Sequence, residues 1–273
     1  MPKLNIQNFG SSSSGNCTCI WDEHSLILID CGFSARYINN CLRAINKDIS
    51  YISAVFISHI HGDHVRDSSL NEFLRHKVPV YCHEDIYAPL LSKYGHKLIK
   101  DHSKNISTFT RESIKAGSFF VSAFSVPHDS AGGCFGYNIL RTVDGITKKI
   151  SIATDAANTN SSMLKRFADS NVIILESNYD LDMLKNSGRP SMLIDRIIND
   201  GHLSNEQCAA FICEVLEKSD TLPNYIMLTH VSPQCNTNEI AVSCLKTKLI
   251  ASDLPEVNII GTFKDRMGQI LSI

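Results

Sequence analysis

The sequence predicts one layered α/β domain, and three observations carry that expectation. Short β-branched runs crowd the first half of the chain, helical patterns alternate with apolar strands in the second, and no Pro/Gly-rich linker separates the halves. Residues 1–273 are therefore read as a single domain. Hydrophobic residues make up 43% of the chain and charged residues 20%, which excludes disorder as the main state.

Leu4–Phe9 and Cys17–Trp21 read as strands around a loop, Gly10-Ser11-Ser12-Ser13-Ser14-Gly15-Asn16. Between two strands so close together the serine run reads as a tight polar loop whose backbone N–H groups face an anion, rather than as a linker. Ser25–Asp30 follows as an apolar strand, and Ile52–Ser58 as a buried one. Leu70–His76 has the pattern of a short amphipathic helix, and Val78–Cys82 that of a strand. Further strands are expected at Phe119–Val126, Phe135–Leu140, Lys149–Ala153 and Val172–Leu175. Helices are expected over Pro190–Asn199 and over Asn205–Lys218, the second with Ser204 as N-cap. Tyr225–Leu228 is an apolar strand, Asn238–Leu249 a helix, and Val257–Thr262 a closing strand.

Composition excludes several classes. With 26 basic and 28 acidic residues the net charge is −2, so the chain is no uniformly basic nucleic-acid binder, although a local basic patch stays open. No apolar run approaches the ~20 residues of a membrane span, and Met1-Pro2-Lys3-Leu4-Asn5 is no signal core. Ten cysteines without a secretory signal imply reduced thiols and a cytoplasmic protein. There is no CxxC pair; Cys17-Thr18-Cys19 comes nearest, which argues against a cysteine zinc cage.

The strongest signal is His59-x-His61-x-Asp63-His64, just past the strand Ile52–Ser58. In extended chain residues two apart point the same way, so His59 and His61 can grip one ion, while Asp63 and His64 diverge towards a second where the chain turns. Imidazole nitrogen and carboxylate oxygen suit Zn²⁺, Mn²⁺ or Fe²⁺ rather than Mg²⁺ or Ca²⁺. Further candidates end other strands: His128 in Val-Pro-His-Asp-Ser, Asp155 in Ala-Thr-Asp-Ala-Ala, and His230 in Leu-Thr-His-Val-Ser. Singly, each also reads as a strand-end cap. Together they complete two ligand sets with one carboxylate left to bridge.

The ordered pattern Asp30 … His59-x-His61-x-Asp63-His64 … His128 … Asp155 … His230 resembles the metallo-β-lactamase superfamily over most of the chain. The resemblance implies a four-layer αββα sandwich, the metallo-β-lactamase fold, with two metal ions at one edge of its sheets. Carried over motif by motif, it assigns His59, His61 and His128 to the first ion and Asp63, His64 and His230 to the second, with Asp155 as bridge. Asp30, in Ile-Asp-Cys-Gly, becomes a support for the histidine loop rather than a ligand, and Cys31 a small core residue.

A finer resemblance is to WalJ-type proteins, bacterial 5′→3′ exonucleases on double-stranded DNA. It rests on Gly-Ser-Ser-Ser-Ser-Gly-Asn-Cys-Thr, Asp-Cys-Gly, Ile-Ser-His-Ile-His-Gly-Asp-His, Pro-His-Asp-Ser-Ala-Gly, Glu-Ser-Asn-Tyr-Asp, Gly-His-Leu-Ser-Asn and Thr-His-Val-Ser, in that order. The chain departs from the branch at Ile-His-Gly-Asp, where Glu-His-Ser-Asp is usual, and at Cys235-Asn236, where paired asparagines are usual. Glu176 and His202 resemble the glutamate–histidine pair of the phosphodiesterase branches, beside the scissile phosphate. Structural alternatives are a loop-binding carboxylate and a helix-capping surface histidine.

The implied chemistry is phosphodiester hydrolysis by a metal-bridging hydroxide, with Asp63, Asp155, Glu176 and His202 as catalytic residues and DNA as substrate. Candidate substrate contacts are Ser13, Ser14, Asn16, Ser204, Asn205 and Ser232. Candidate phosphate contacts are Lys47, Arg66, Arg75, Lys77, Lys185, Arg189 and Arg196; if they serve so, binding falls steeply with salt. The alternative on the same scaffold is a carboxylic ester, thioester or lactam hydrolase, which has no need of Glu176 and His202. The remaining histidines, His24, His76, His83, His96 and His102, carry no assigned role. No membrane partner is expected; the oligomeric state stays open, a homodimer being one option.

Overall fold

Strands buried on both faces dictate the architecture, because successive side chains point to opposite sides. The computed structural model describes residues 3–98, 105–110 and 112–273, so His102 lies outside the described residues. Among the described residues the strands form two sheets. The first runs, in spatial order, β14 (Leu271–Ser272), β1 (Asn5–Ser12), β2 (Gly15–Trp21), β3 (Leu26–Ile29), β4 (Ile52–Ile57), β5 (Val80–His83) and β6 (Ile106–Phe109). The second runs β13 (Asn258–Gly261), β12 (Tyr225–Thr229), β11 (Val172–Glu176), β10 (Ile146–Ala153), β9 (Cys134–Val143), β8 (Phe119–Val126) and β7 (Ile114–Ala116).

Alternation sorts the apolar residues into three layers. Ile27, Ile29, Ala54 and Phe56 of the first sheet meet Tyr137, Ile152, Ile174 and Met227 of the second in a central layer. The intervening Leu28, Val55 and Ile57 face outward, under Ile38 and Leu42 of α1 (Ala35–Ala44), Leu70 and Phe73 of α2 (Asp67–Arg75), and Ile86 and Leu90 of α3 (Glu84–Tyr94). Ile173, Leu175, Ile226 and Leu228 do the same on the far side, under α4 (Ser161–Phe167), α7 (Asn205–Glu217) and α8 (Asn238–Ala251). The result is the expected αββα sandwich. Burying a side chain such as Phe56 or Ile152 in the central layer is worth about 1.5–3 kcal/mol.

Several boundaries differ from the sequence reading. The serine-rich loop is a hairpin turn of Ser13 and Ser14 only, because Gly10–Ser12 and Gly15–Asn16 pair across β1 and β2. The helices α1, α3, α4 and α5 (Leu181–Lys185) were not expected. The helix expected over Pro190–Asn199 is α6 (Ser191–Arg196), which widens into a π-helical turn at Ile197–Gly201. Ser204 does cap α7, accepting from the Gln207 N–H while the Gln207 side chain accepts from the Ser204 N–H. All ten cysteines are unpaired, and no helix among the described residues is long and apolar enough to cross a membrane.

Candidate metal centre

Sheet polarity gathers the chemistry at one edge. β3 to β6 run parallel in the first sheet and β10 to β13 in the second, and β8 points the same way as β10. Carboxyl ends of parallel strands are where such sheets present their sites. Asp30 follows β3, Ser58 and His59 follow β4, His128 lies just past β8, Asp155 just past β10, Glu176 ends β11, and His230 follows β12. Asp30, Asp155 and His230 turn the chain with φ of 63°, 57° and 53°. That left-handed conformation costs a non-glycine residue of order 1–3 kcal/mol, and Asp and His are among the types that tolerate it.

The first cluster is all imidazole. One ring nitrogen each from His59, His61 and His128 lie within 4.8 Å of one another. His61 Nδ1 is 3.2 Å from His128 Nε2, and His128 Nδ1 is 2.8 Å from the Gly201 carbonyl oxygen. Donating there fixes the tautomer and leaves Nε2 facing His61. His59 Nδ1 lies 3.0 Å from Ser58 Oγ and 3.6 Å from Cys134 Sγ, whereas its buried Nε2 has no partner. Burial, reinforced by neighbouring imidazoles, holds all three histidines below their usual pKa. They are therefore neutral, the form that ligates metal.

The second cluster mixes nitrogen and oxygen. Asp63, His64, Asp155 and His230 each offer an atom within 4.8 Å of the others. His64 Nε2 is 2.7 Å from Asp155 Oδ2 and 3.5 Å from Asp63 Oδ2; His230 Nε2 is 3.4 Å from the same Asp63 oxygen. On its far side His64 Nδ1 meets Asp30 Oδ2 at 2.7 Å, and Asp30 accepts from the Ser58 N–H and hydroxyl, both at 2.8 Å. Burial alone would lower the pKa of His64 and His230. The carboxylates of Asp155, Asp63 and their neighbours prevail, holding His64 well above its usual value and His230 at about 10. The same pairing, against burial, holds Asp63 and Asp155 below the usual carboxylate range.

These residues fit a pair of divalent cations. An orphaned buried His59 Nε2, neutral imidazoles in one set and ionised carboxylates in the other supply donors of the right type. In the metal-free chain, protonated His64 and His230 supply positive charge beside Asp63 and Asp155.

Glu176 organises the next ring outward. Its Oε1 lies 2.8 Å from His202 Nδ1 and 2.7 Å from His230 Nδ1, while Oε2 accepts from the Ala156 and Leu203 N–H groups at 2.8 and 3.1 Å. The one carboxylate thus binds two loop N–H groups and two histidines at once. His202 is 3.5 Å from Asp155 Oδ1 and lines a cavity of about 450 Å³ together with His61, His128, His230, Ser13 and Ser232.

Some expected substrate contacts are committed elsewhere. Asn16 is buried, with Nδ2 2.9 Å from His64 Nε2 and Oδ1 accepting from Ser11, and its N–H donates to the Asp63 carbonyl. The Ser14 N–H donates to Ser12 Oγ, so the turn is not the free anion nest expected, although Ser13 does line the cavity. Ser204 is occupied as a helix cap, and buried Asn205 bonds Ser177 and Asn236. Of the basic candidates, Arg189 and Arg196 line the cavity; Arg75 pairs with Glu72 and Lys47 stacks over Tyr51.

Sequence reasoning missed Ser58, Cys134 and Asn178. Asn178 Nδ2 donates to the His230 carbonyl at 2.7 Å and lies 3.1 Å from its Nδ1. Its place two residues after Glu176 in Glu-Ser-Asn-Tyr-Asp was the available signal.

An αββα sandwich with this cage of histidines and aspartates at one edge defines a metallohydrolase of the metallo-β-lactamase type. The chain belongs to the β-lactamase superfamily, whose domain model ("Beta-lactamase superfamily domain") matches residues 26–230. It is 25% identical to the exodeoxyribonuclease YycJ of Bacillus anthracis over 240 residues, covering 87% of this chain and 86% of that one. It is 27% identical to the exodeoxyribonuclease WalJ of Streptococcus pneumoniae over 247 residues, covering 89% and 87%. Among solved structures it resembles the metallo-β-lactamase fold protein YhfI from Bacillus subtilis, with a TM-score of 0.69, 15% identity and full coverage of both chains.

Proposed function

We propose that this chain is a two-metal phosphodiesterase that works as a 5′→3′ exonuclease on DNA. The observation that carries the reading is the Glu176 carboxylate held between His202 and His230, which a carboxylic ester or lactam hydrolase has no use for. The exodeoxyribonuclease relatives point the same way.

His59, His61 and His128 would hold one ion and Asp63, His64 and His230 the other, with Asp155 shared. When bound, the pair (Zn²⁺, Mn²⁺ or Fe²⁺) supplies an activated water and neutralises phosphate charge. The protein's own groups do the rest. Asp30 orients His64 from behind and Asn178 orients His230. His202, aimed into the cavity by Glu176, donates a proton to the departing 3′-oxygen. Ser13 and Ser232 on the wall, with Arg189 and Arg196, meet phosphate oxygens. Ten unpaired cysteines suit a reducing, cytoplasmic setting.

The test is metal analysis of the purified protein, followed by assays on 5′-phosphorylated duplex DNA, RNA and an aryl phosphodiester. Two bound metals per chain and release of nucleotides from the 5′ end of the duplex are expected. Turnover of a chromogenic lactam or thioester without any phosphodiester cleavage would overturn the reading.

A further inference from the structure

The cavity has an apolar edge that hydrolysis alone does not explain. On α6, Met192 is 81% exposed and Leu193 40% exposed, and they are neighbours in sequence. Soluble surfaces carry single exposed apolar side chains without consequence, so position decides what these two mean. Leu193 lines the cavity that His128 and His202 also line. Arg196 follows Met192 at i+4 and Leu193 at i+3, so one helical turn places a guanidinium beside both apolar side chains. Arg196 is tethered: its Nε and Nη2 donate to Asp129 Oδ2 at 3.0 and 2.8 Å, and Asp129 adjoins His128 in the chain. Arg189, on the other side of Met192, also lines the cavity. The helix then widens into the π-helical turn Ile197–Gly201, whose Gly201 carbonyl accepts from His128. Local π-turns of this kind recur at functional sites.

An apolar tip beside two guanidinium groups, Arg189 and the Asp129-paired Arg196, has the chemistry to meet the end of a nucleic-acid duplex. Methionine and leucine side chains wedge against a base face, and guanidinium groups hold the neighbouring phosphates. A side chain that parts the terminal base pair would let the scissile phosphate of one strand pass to the metal centre, at an unstacking cost of a few kcal/mol. We propose that Met192, with its neighbour Leu193 on the cavity wall, is the wedge that caps and unstacks the terminal base pair of duplex DNA, while Arg189 and Arg196 fix the phosphates of the strand being fed to His202. This assignment rests on the nuclease reading above and deepens it by naming the residues that would engage the duplex end.

The test compares turnover of a blunt 5′-phosphorylated duplex with that of the same 5′-phosphorylated strand alone, using hydrolysis of bis(p-nitrophenyl) phosphate as the reference for each preparation. In Met192→Ser the duplex-to-single-strand ratio is expected to fall about tenfold, the scale of one lost stacking contact. Met192→Leu is expected to restore it. Because Met192 is exposed, the fold should tolerate both changes. An unchanged ratio in Met192→Ser, with the wild type degrading duplex, would overturn the wedge and leave the nuclease reading standing. A wild type that cleaves the aryl diester but no DNA would overturn both. A dimer in sedimentation that Met192→Ser dissociates, with the ratio intact, would assign the apolar tip to a second copy of the chain and overturn the wedge.

Discussion

His202 and His230 share one oxygen: Glu176 Oε1 lies 2.8 Å from the Nδ1 of the first and 2.7 Å from the Nδ1 of the second. The carboxylate therefore joins a side chain of the proposed ligand set to one aimed at the cavity. Removing either histidine leaves Glu176 bound to the other and to the Ala156 and Leu203 N–H groups, so the two roles can be separated by mutation.

For His202→Ala the expected outcome is full metal content with phosphodiester turnover reduced by about 100- to 10,000-fold, the usual worth of a general acid. Metal analysis beside a kcat measurement checks it. Intact turnover would remove the proton-donor role.

A second prediction concerns pH. His230 is raised from its usual 6.5 to about 10, and His64 is raised as well, by carboxylates that outweigh the burial penalty. A folded-state pKa above the unfolded one stabilises the fold fully below about pH 6.5, and that stability disappears as pH rises through about 10. Metal-stripped protein should therefore need less urea to unfold at about pH 9.5 than at about pH 6.5. Metal ions must displace the same protons, so loading near neutral pH should release them, measurable by calorimetry in buffers of different ionisation enthalpy.

Asp30→Asn retains an acceptor for Ser58 but loses the charge opposite His64 Nδ1. Affinity for the ion that Asp63, His64 and His230 would hold should fall about 10- to 100-fold. Competition with a chelator measures the change, and the His59, His61 and His128 set should be less affected.

Gly32→Ala tests the approach of two loops. A Cβ at Gly32 would lie 1.6 Å from the Asp63 carbonyl oxygen and 2.7 Å from the Asn16 nitrogen, all of it backbone that cannot swing aside. Destabilisation beyond about 4 kcal/mol is expected in urea melts, with loss of metal binding.

The residues of the two clusters stood out because they recur, in order, at the ends of runs that read as apolar strands. His59, His128, Asp155 and His230 all stand where a sheet edge was expected. Asn16 was misread as facing substrate because the sequence does not reveal how far β1 and β2 zip towards their turn; that pairing turns Asn16 inward to His64. Ser58, Cys134 and Asn178 were invisible for a related reason. Each acts by holding a histidine from a distance in the chain, or at an angle, that only the folded backbone sets. The helix α3 was hidden by Pro89 in its interior, whereas α1 did carry a helical spacing in Ile38, Cys41 and Leu42.

The cage draws on both halves of the sandwich, with the histidine loop on one sheet and His128, Asp155 and His230 on the other. The halves are stitched where they meet it: the Tyr137 hydroxyl donates to the Ile57 carbonyl, the Phe135 N–H to the Ser58 carbonyl, and the His230 N–H to Ser11. Sliding one sheet over the other would pull the donor atoms apart before any strand unravelled. Ion retention should accordingly act as a strain gauge for the seam, and a substitution deep beneath the surface at Phe56 or Tyr137 would register first as leakage of metal.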